Sequence, residues 1–231
     1  MQDYSWIIQN KELLKLIYSV IIILICFVIV LKTNRLFKLS LHQGIRYFRN
    51  AFFFYGIAFF LRYIVGSKLI FNSISSTQNY FIIGILFEFF LIMAGFFLLY
   101  SLIWRKIEGV GKKEDSSLIN SKILLFYIMS FIISYLDFLW KAYFFMFLSQ
   151  ILIFVLASVI SYLNYKNLGN KRLFLKFYFI AMLLSLTAWI LNALLSLYFN
   201  WNQGVLINIY LINILIFGLF LYGVVKFTKR K

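Results

Sequence analysis

The chain has 231 residues, 64% of them apolar and 13% charged, with no proline and a single cysteine. A soluble domain has an apolar share nearer one half, so this composition excludes one and makes lipid the expected solvent. The formal charge of +16 comes from Lys and Arg gathered between apolar runs, which speaks against a nucleic-acid partner and for anionic lipid at cytoplasmic loops.

The apolar runs fall at 13–31, 51–71, 80–103, 123–140, 142–163, 174–198 and 206–227. Each approaches the ~20 residues that cross a bilayer as a helix. None shows the alternation of a barrel strand, and lipid offers the backbone no hydrogen-bond partner, so helices are predicted throughout. The expected fold is an all-α integral membrane bundle of seven transmembrane helices forming a single domain over 1–231. Residues Met1 to Lys11 carry neither a basic leader nor a small-residue cleavage site, so the first run reads as a retained helix.

Charge placement sets the expected orientation. Lys32, Arg35, Lys38, Arg46 and Arg49 mark the first connection; Arg105, Lys106, Lys112, Lys113 and Lys122 the third; Lys166, Lys171, Arg172 and Lys176 the fifth. The C-terminal end adds Lys226, Lys229, Arg230 and Lys231, whereas Lys11, Lys15, Arg62, Lys68 and Lys141 are the cations left for the opposite side. The positive-inside rule then puts the N-terminus outside and the C-terminus in the cytoplasm, with the prokaryotic cytoplasmic membrane as the expected location. Trp6, Trp140 and Trp201 fall at outer helix ends and Trp104 at an inner one, the depth such rings prefer. The stretch from Glu108 to Ser117 reads as a cytoplasmic loop whose Gly109, Gly111 and Lys112 lack phosphate-loop spacing. Arg46, Phe48 and Phe53 overlay on Arg172, Phe174 and Phe179, a faint sign that the layout is three helices, one, then three.

In chain order, the candidate residues begin with Cys26, a lone thiol inside an apolar run and so a lipid-facing or core filler. His42, the sole histidine, builds no metal centre and sits in a basic, aromatic stretch, 39–49, that reads as an interfacial segment or a docking point for a cytoplasmic partner. Arg62 and Glu88 are charges near mid-span in the second and third runs, where they face a bundle interior and are placed to pair. Ser130, Ser134, Asp137 and Lys141 share one face of the fourth helix, with Asp137 and Lys141 as an i,i+4 pair at its outer end. Gln150, Phe154, Ala157 and Ser161 form a stripe on the fifth helix, Ser185, Trp189, Asn192 and Ser196 one on the sixth, and Tyr210, Asn213 and Phe217 one on the seventh. Arg62, Glu88, Asp137, Gln150, Asn192 and Asn213 lie at a shared depth from mid-span outward and are the candidate lining of an outer cavity, against the plainer reading as interhelical hydrogen-bonding groups. No HExxH pair and no GxSxG elbow is present, so no catalytic, metal or cofactor site is expected.

In layout alone, seven helices with an outer N-terminus resemble the seven-helix sensor modules of prokaryotic signalling proteins. That resemblance implies a receptor-like module, and with only Thr228 to Lys231 after the last run it implies action through a separate cytoplasmic protein partner. Helix count also resembles the rhodopsins, but the last helix carries its lysine, Lys226, at the cytoplasmic end, so retinal is not expected. The three-one-three layout resembles the seven-helix sugar transporters and PQ-loop proteins, which implies small-solute transport, though this sequence lacks the helix prolines of those families. An accessory subunit of a membrane complex is the third expectation.

Overall fold

The computed structural model describes residues 10–67, 77–108, 121–140, 143–168, 173–198 and 203–229. They form α1 (Lys11–Ser40), α2 (Gln43–Phe59, continued by a π-helical segment Phe60–Val65), α3 (Thr77–Glu108), α4 (Ser121–Trp140), α5 (Phe144–Leu168), α6 (Leu173–Tyr198) and α7 (Gln203–Lys229). All seven contain a stretch long and apolar enough to cross a membrane, and no strand occurs among the described residues.

Five of the expected runs match the apolar cores of these helices to within about three residues; the first, expected at 13–31, continues to Leu39, and the second is displaced. It was expected at 51–71, yet the helix starts at Gln43 and its π-helical end stops at Val65. Arg46 and Arg49 are therefore helical residues, and of the stretch 39–49 the part from Gln43 onward belongs to α2 while Leu39 and Leu41 are exposed. The α1–α2 connection is only Leu41 and His42, closed by Leu41 in the left-handed conformation (φ 50°) with its N–H donating to the Phe37 carbonyl at 2.8 Å. Arg49 fastens this hairpin by donating to Asn34 Oδ1 at 2.7 Å while the guanidinium groups of Arg46 and Arg49 lie over the Phe37 ring. Charge alone read as a connection because these cations spend themselves on the neighbouring helix. With 30 residues, α1 is about 45 Å long, well beyond the ~30 Å hydrocarbon thickness of a bilayer, so its basic end has room to project.

The helices close a ring in which α1 packs on α2, α2 on α3, α3 on α5, α5 on α6, α6 on α7 and α7 back on α1. Helix α4 stands outside it against α3 and α5. In this order α1–α3 and α5–α7 form opposite halves of the ring, with α4 as the link between them. Its faces explain the placement of α4: Ser130, Ser134 and Asp137 are buried inward, while Leu124, Leu125, Ile128, Phe131 and Ile132 are exposed. Exposed Leu24, Phe27, Leu152, Leu156, Leu211 and Leu215 extend that apolar exterior round the ring, as contact with lipid requires.

Aromatic stacking and small residues hold the ring. Phe54 of α2 stacks between Phe90 and Phe97 of α3, centroids 5.8 and 5.2 Å away, each such pair adding about 0.5–1.5 kcal/mol beyond its buried area. Glycine permits the closest helix approaches. A Cβ at Gly44 would stand 2.6 Å from Trp104 Nε1, and one at Gly95 would stand 3.0 Å from Gln150 Oε1.

Candidate ligand cavity

Helix α2 changes pitch at Phe60. The Gly66 N–H donates to Leu61 O, five residues back, at 2.9 Å, and a Cβ at Gly66 would lie 2.5 Å from Arg62 O. A side chain there would collide with the backbone of the widened turn, so the glycine is what lets α2 end this way. Single π turns recur at functional sites because they re-aim the side chains they carry, and this one carries Arg62 and Tyr63.

Both line a cavity of about 470 Å³ enclosed by the six ring helices. At one end it reaches Glu12 and Lys15, an ion pair at 2.9 Å whose side chains are 42% and 36% exposed. Its middle is a cage of phenols: Tyr18 stacks on Tyr210 at 4.3 Å and meets Phe59 and Tyr63 edge-on, both at 5.8 Å. Asn213 Nδ2 orients the cage by donating to the Tyr18 hydroxyl at 3.1 Å, and the Tyr63 and Tyr210 hydroxyls lie near each other. The far end is apolar, lined by Phe52, Leu98, Phe154 and Phe220. Behind it Phe48, Tyr178 and Phe220 pack ring on ring at 5.8–6.1 Å, with the Tyr178 hydroxyl 3.3 Å from Ser101 Oγ.

Arg62 sits between aromatic faces. Its guanidinium carbon is 4.4 Å from the Phe87 centroid, 5.6 Å from that of Tyr143 and 6.0 Å from that of Tyr63, and its N–H groups reach the Tyr143 hydroxyl. Among the described residues no carboxylate makes an ion pair with it. The expected Arg62–Glu88 pair is therefore corrected to a through-space attraction without contact. The cause is helical phase: Phe87 and Glu88 are consecutive, about 100° apart around α3, so the ring faces Arg62 and the carboxylate turns away.

Glu88 turns instead to a second polar cluster at the α3–α4–α5 junction. There Asp137 accepts from the backbone N–H of Phe145 (2.9 Å to Oδ1) and Met146 (2.6 Å to Oδ2), capping the start of α5 from the helix before it. The Glu88 carboxyl lies beside it within hydrogen-bonding reach, its Oε2 buried without a partner. Gln150 donates from Nε2 to Leu91 O at 3.1 Å, and its Oε1 is buried unpaired against Gly95.

Of the six sequence candidates, Arg62, Asn192 and Asn213 line the cavity, as do Ser185, Trp189, Tyr210 and Phe217 of the α6 and α7 stripes. Glu88, Asp137 and Gln150 do not; they are packed within protein. Asp137 caps the start of α5, and Lys141, its expected partner, lies outside the described residues. Phe154 is the one residue of the α5 stripe that reaches the cavity, Cys26 is buried in the core, and His42 meets the Trp104 ring edge-on at 5.1 Å. Sequence reasoning missed Tyr18, Tyr63 and Tyr143, which counted as apolar in a chain with 16 tyrosines; Tyr63 was within reach as the neighbour of Arg62, whereas Tyr18 and Tyr143 are brought to the cavity from α1 and the start of α5 by the packing of the helices.

These features define a class: a protein of seven apolar helices, each long enough to cross a membrane, six of which enclose a cavity with a charged end and an apolar end. An uncharacterized protein of Archaeoglobus fulgidus is 35% identical over 99 residues, covering 40% of this chain and 44% of that protein. The chain thus spans less than half the length of the curated relative it matches. No family model and no solved structure matches it.

Proposed function

We propose that the chain is a multi-pass protein of a prokaryotic cytoplasmic membrane, N-terminus outside and C-terminus inside, whose ring binds a small molecule from the outer side. It acts as a receptor-like sensor module that hands the bound state to a separate cytoplasmic protein. The cavity carries this reading, because ligand sites are characteristically mostly apolar clefts of roughly 300–1,000 Å³ with a few convergent polar groups. Basic residues at the opposite ends of the helices support the orientation and an association with anionic lipid.

A sensor is favoured over a carrier by the floor. Phe48, Tyr178 and Phe220 fill the ring beyond the cavity, and below them the Arg49–Asn34 clasp and the close Gly44–Trp104 approach tie α1, α2 and α3 together. Transport is the second reading, favoured by a cavity between two three-helix halves, the place where repeat-built carriers bind substrate.

The test is thermal stabilisation of the purified protein against a small-molecule panel, with Ala188→Phe in parallel to fill the cavity from α6. A compound that stabilises wild type, since it binds the folded state, and leaves a folded Ala188→Phe unmoved supports the site. Compounds that stabilise both alike, or none at all, remove it. Proteoliposome uptake of the same compound then separates the two readings: a sensor shows no flux.

A further inference from the structure

We propose that the ligand is an elongated organic anion, its carboxylate held by Arg62 and its aromatic or aliphatic body lying along the ring toward Phe52 and Phe220. This rests on the cavity being a binding site and adds the sign, shape and polarity of what it takes.

The sign comes from what Arg62 lacks. A guanidinium presents five N–H donors in a planar fork that matches a carboxylate, and here it has ring faces and one phenol to satisfy them. A charge at this depth is expensive to keep without a counter-ion. The carboxylates nearby are otherwise arranged: Glu12 is paired with Lys15 at the rim, and Glu88 and Asp137 lie outside the lining at the α3–α4–α5 junction. Among the described residues the lining offers a cationic guest no free carboxylate to offset Arg62. A neutral guest would leave the fork half satisfied.

Shape follows from the register. From Arg62 back to Phe52 the α2 backbone covers ten residues, about 15 Å at helical rise, and residues of α3, α5 and α7 line the cavity over similar lengths. Polarity falls along that distance. Asn192 and Asn213 stand in the Arg62 half, Ser185 further in already donates to Ala181 O at 2.7 Å, and beyond it the lining is hydrocarbon apart from the Tyr55 phenol. The phenol cage between the two halves suits a flat ring or a chain better than a sugar, whose hydroxyls would lie unpaired against Phe52 and Phe220.

The experiment uses two matched sets on the purified full chain: indole-3-acetate, indole-3-acetamide and tryptamine; then 4-phenylbutyrate, its primary amide and 4-phenylbutylamine. Thermal-shift titrations give relative affinities for wild type, Arg62→Gln, Arg62→Lys and Ala188→Phe. In wild type the carboxylate is the tightest of each set, by roughly tenfold or more over the amide, as a charge-assisted contact provides. Arg62→Gln brings carboxylate down to amide while amide binding is kept, Arg62→Lys retains the preference for the anion, and Ala188→Phe removes both. The proposal is overturned if the amide or amine matches the carboxylate, if the preference survives Arg62→Gln, or if neither set binds. Neutral or cationic probes that bind and are lost in Ala188→Phe leave the cavity standing and sink only the anion; probes indifferent to Ala188→Phe sink both.

Discussion

Two polar regions lie at similar depth in this molecule, and they are built to opposite ends. Around Arg62, polar groups border empty space and are only partly satisfied by rings and phenols. Around Asp137, polar groups are packed against protein, with Glu88 Oε2 and Gln150 Oε1 left unpaired, and the hydrogen bonds they make hold α3, α4 and α5 together. Depth and charge are the same signal in both; what separates a site from a fastening is whether volume adjoins the polar atom. A charge in a spanning helix therefore marks a place to look rather than a function.

Substitutions sharpen that contrast. Asp137→Ala has the largest expected effect, since it strips the cap from two buried amides: about 3 kcal/mol of stability, within the range for losing charge-assisted bonds, read as the thermal midpoint in detergent, with binding to the surviving folded fraction unchanged. A variant as stable as wild type would mean that the α5 amides are satisfied another way.

Gly66→Ala comes next, and acts on the other region. Its methyl drives into Arg62 O, so the π turn tightens or shifts and Arg62 swings off the cavity axis. The expected loss is roughly tenfold or more in affinity for a carboxylate probe, alongside a stability cost of about 1–2 kcal/mol, in the range of overpacking. Unchanged affinity would show that the turn does not aim the arginine. Glu88→Gln is smaller: its attraction for Arg62 is lost but no contact in the cavity is, so probe affinity changes by less than threefold, by about 0.6 kcal/mol or less. An effect matching that of Arg62→Gln would return Glu88 to the binding site. Gln150→Leu is the smallest. It removes one bond and one unpaired oxygen together, and such exchanges are nearly neutral, so the midpoint should move by no more than a degree or two, corresponding to about 0.5 kcal/mol.

Much of the helix layout was legible because apolar length is a strong signal. The start of α2 was not, since Arg46 and Arg49 look like loop cations until the Phe37 ring and Asn34 are placed beside them. The π turn at Phe60–Val65 leaves no mark in composition other than Gly66, whose role depends on a carbonyl contact that no spacing rule expresses. Arg62, Asn192 and Asn213 could be picked out by depth. Their separation from Glu88, Asp137 and Gln150 could not, because it depends on helix phase against neighbours: one step from Phe87 to Glu88 moves a side chain from the cavity wall into a three-helix junction. Asp137 illustrates the same limit, as the i,i+4 rule looked along its own helix while its partners stood at the start of the next.

The Asn213–Tyr18 hydrogen bond spans 195 positions and closes the ring between its first and last helices. During synthesis at ~5–20 residues per second, α1 waits about 10–40 s for the helix that completes its contacts. Until α7 arrives the cavity has no wall on that side, and the Tyr18 hydroxyl has no amide to bind. Closure of the ring is thus a late step in synthesis, and a ribosome stalled before α7 would hold six helices around an open seam.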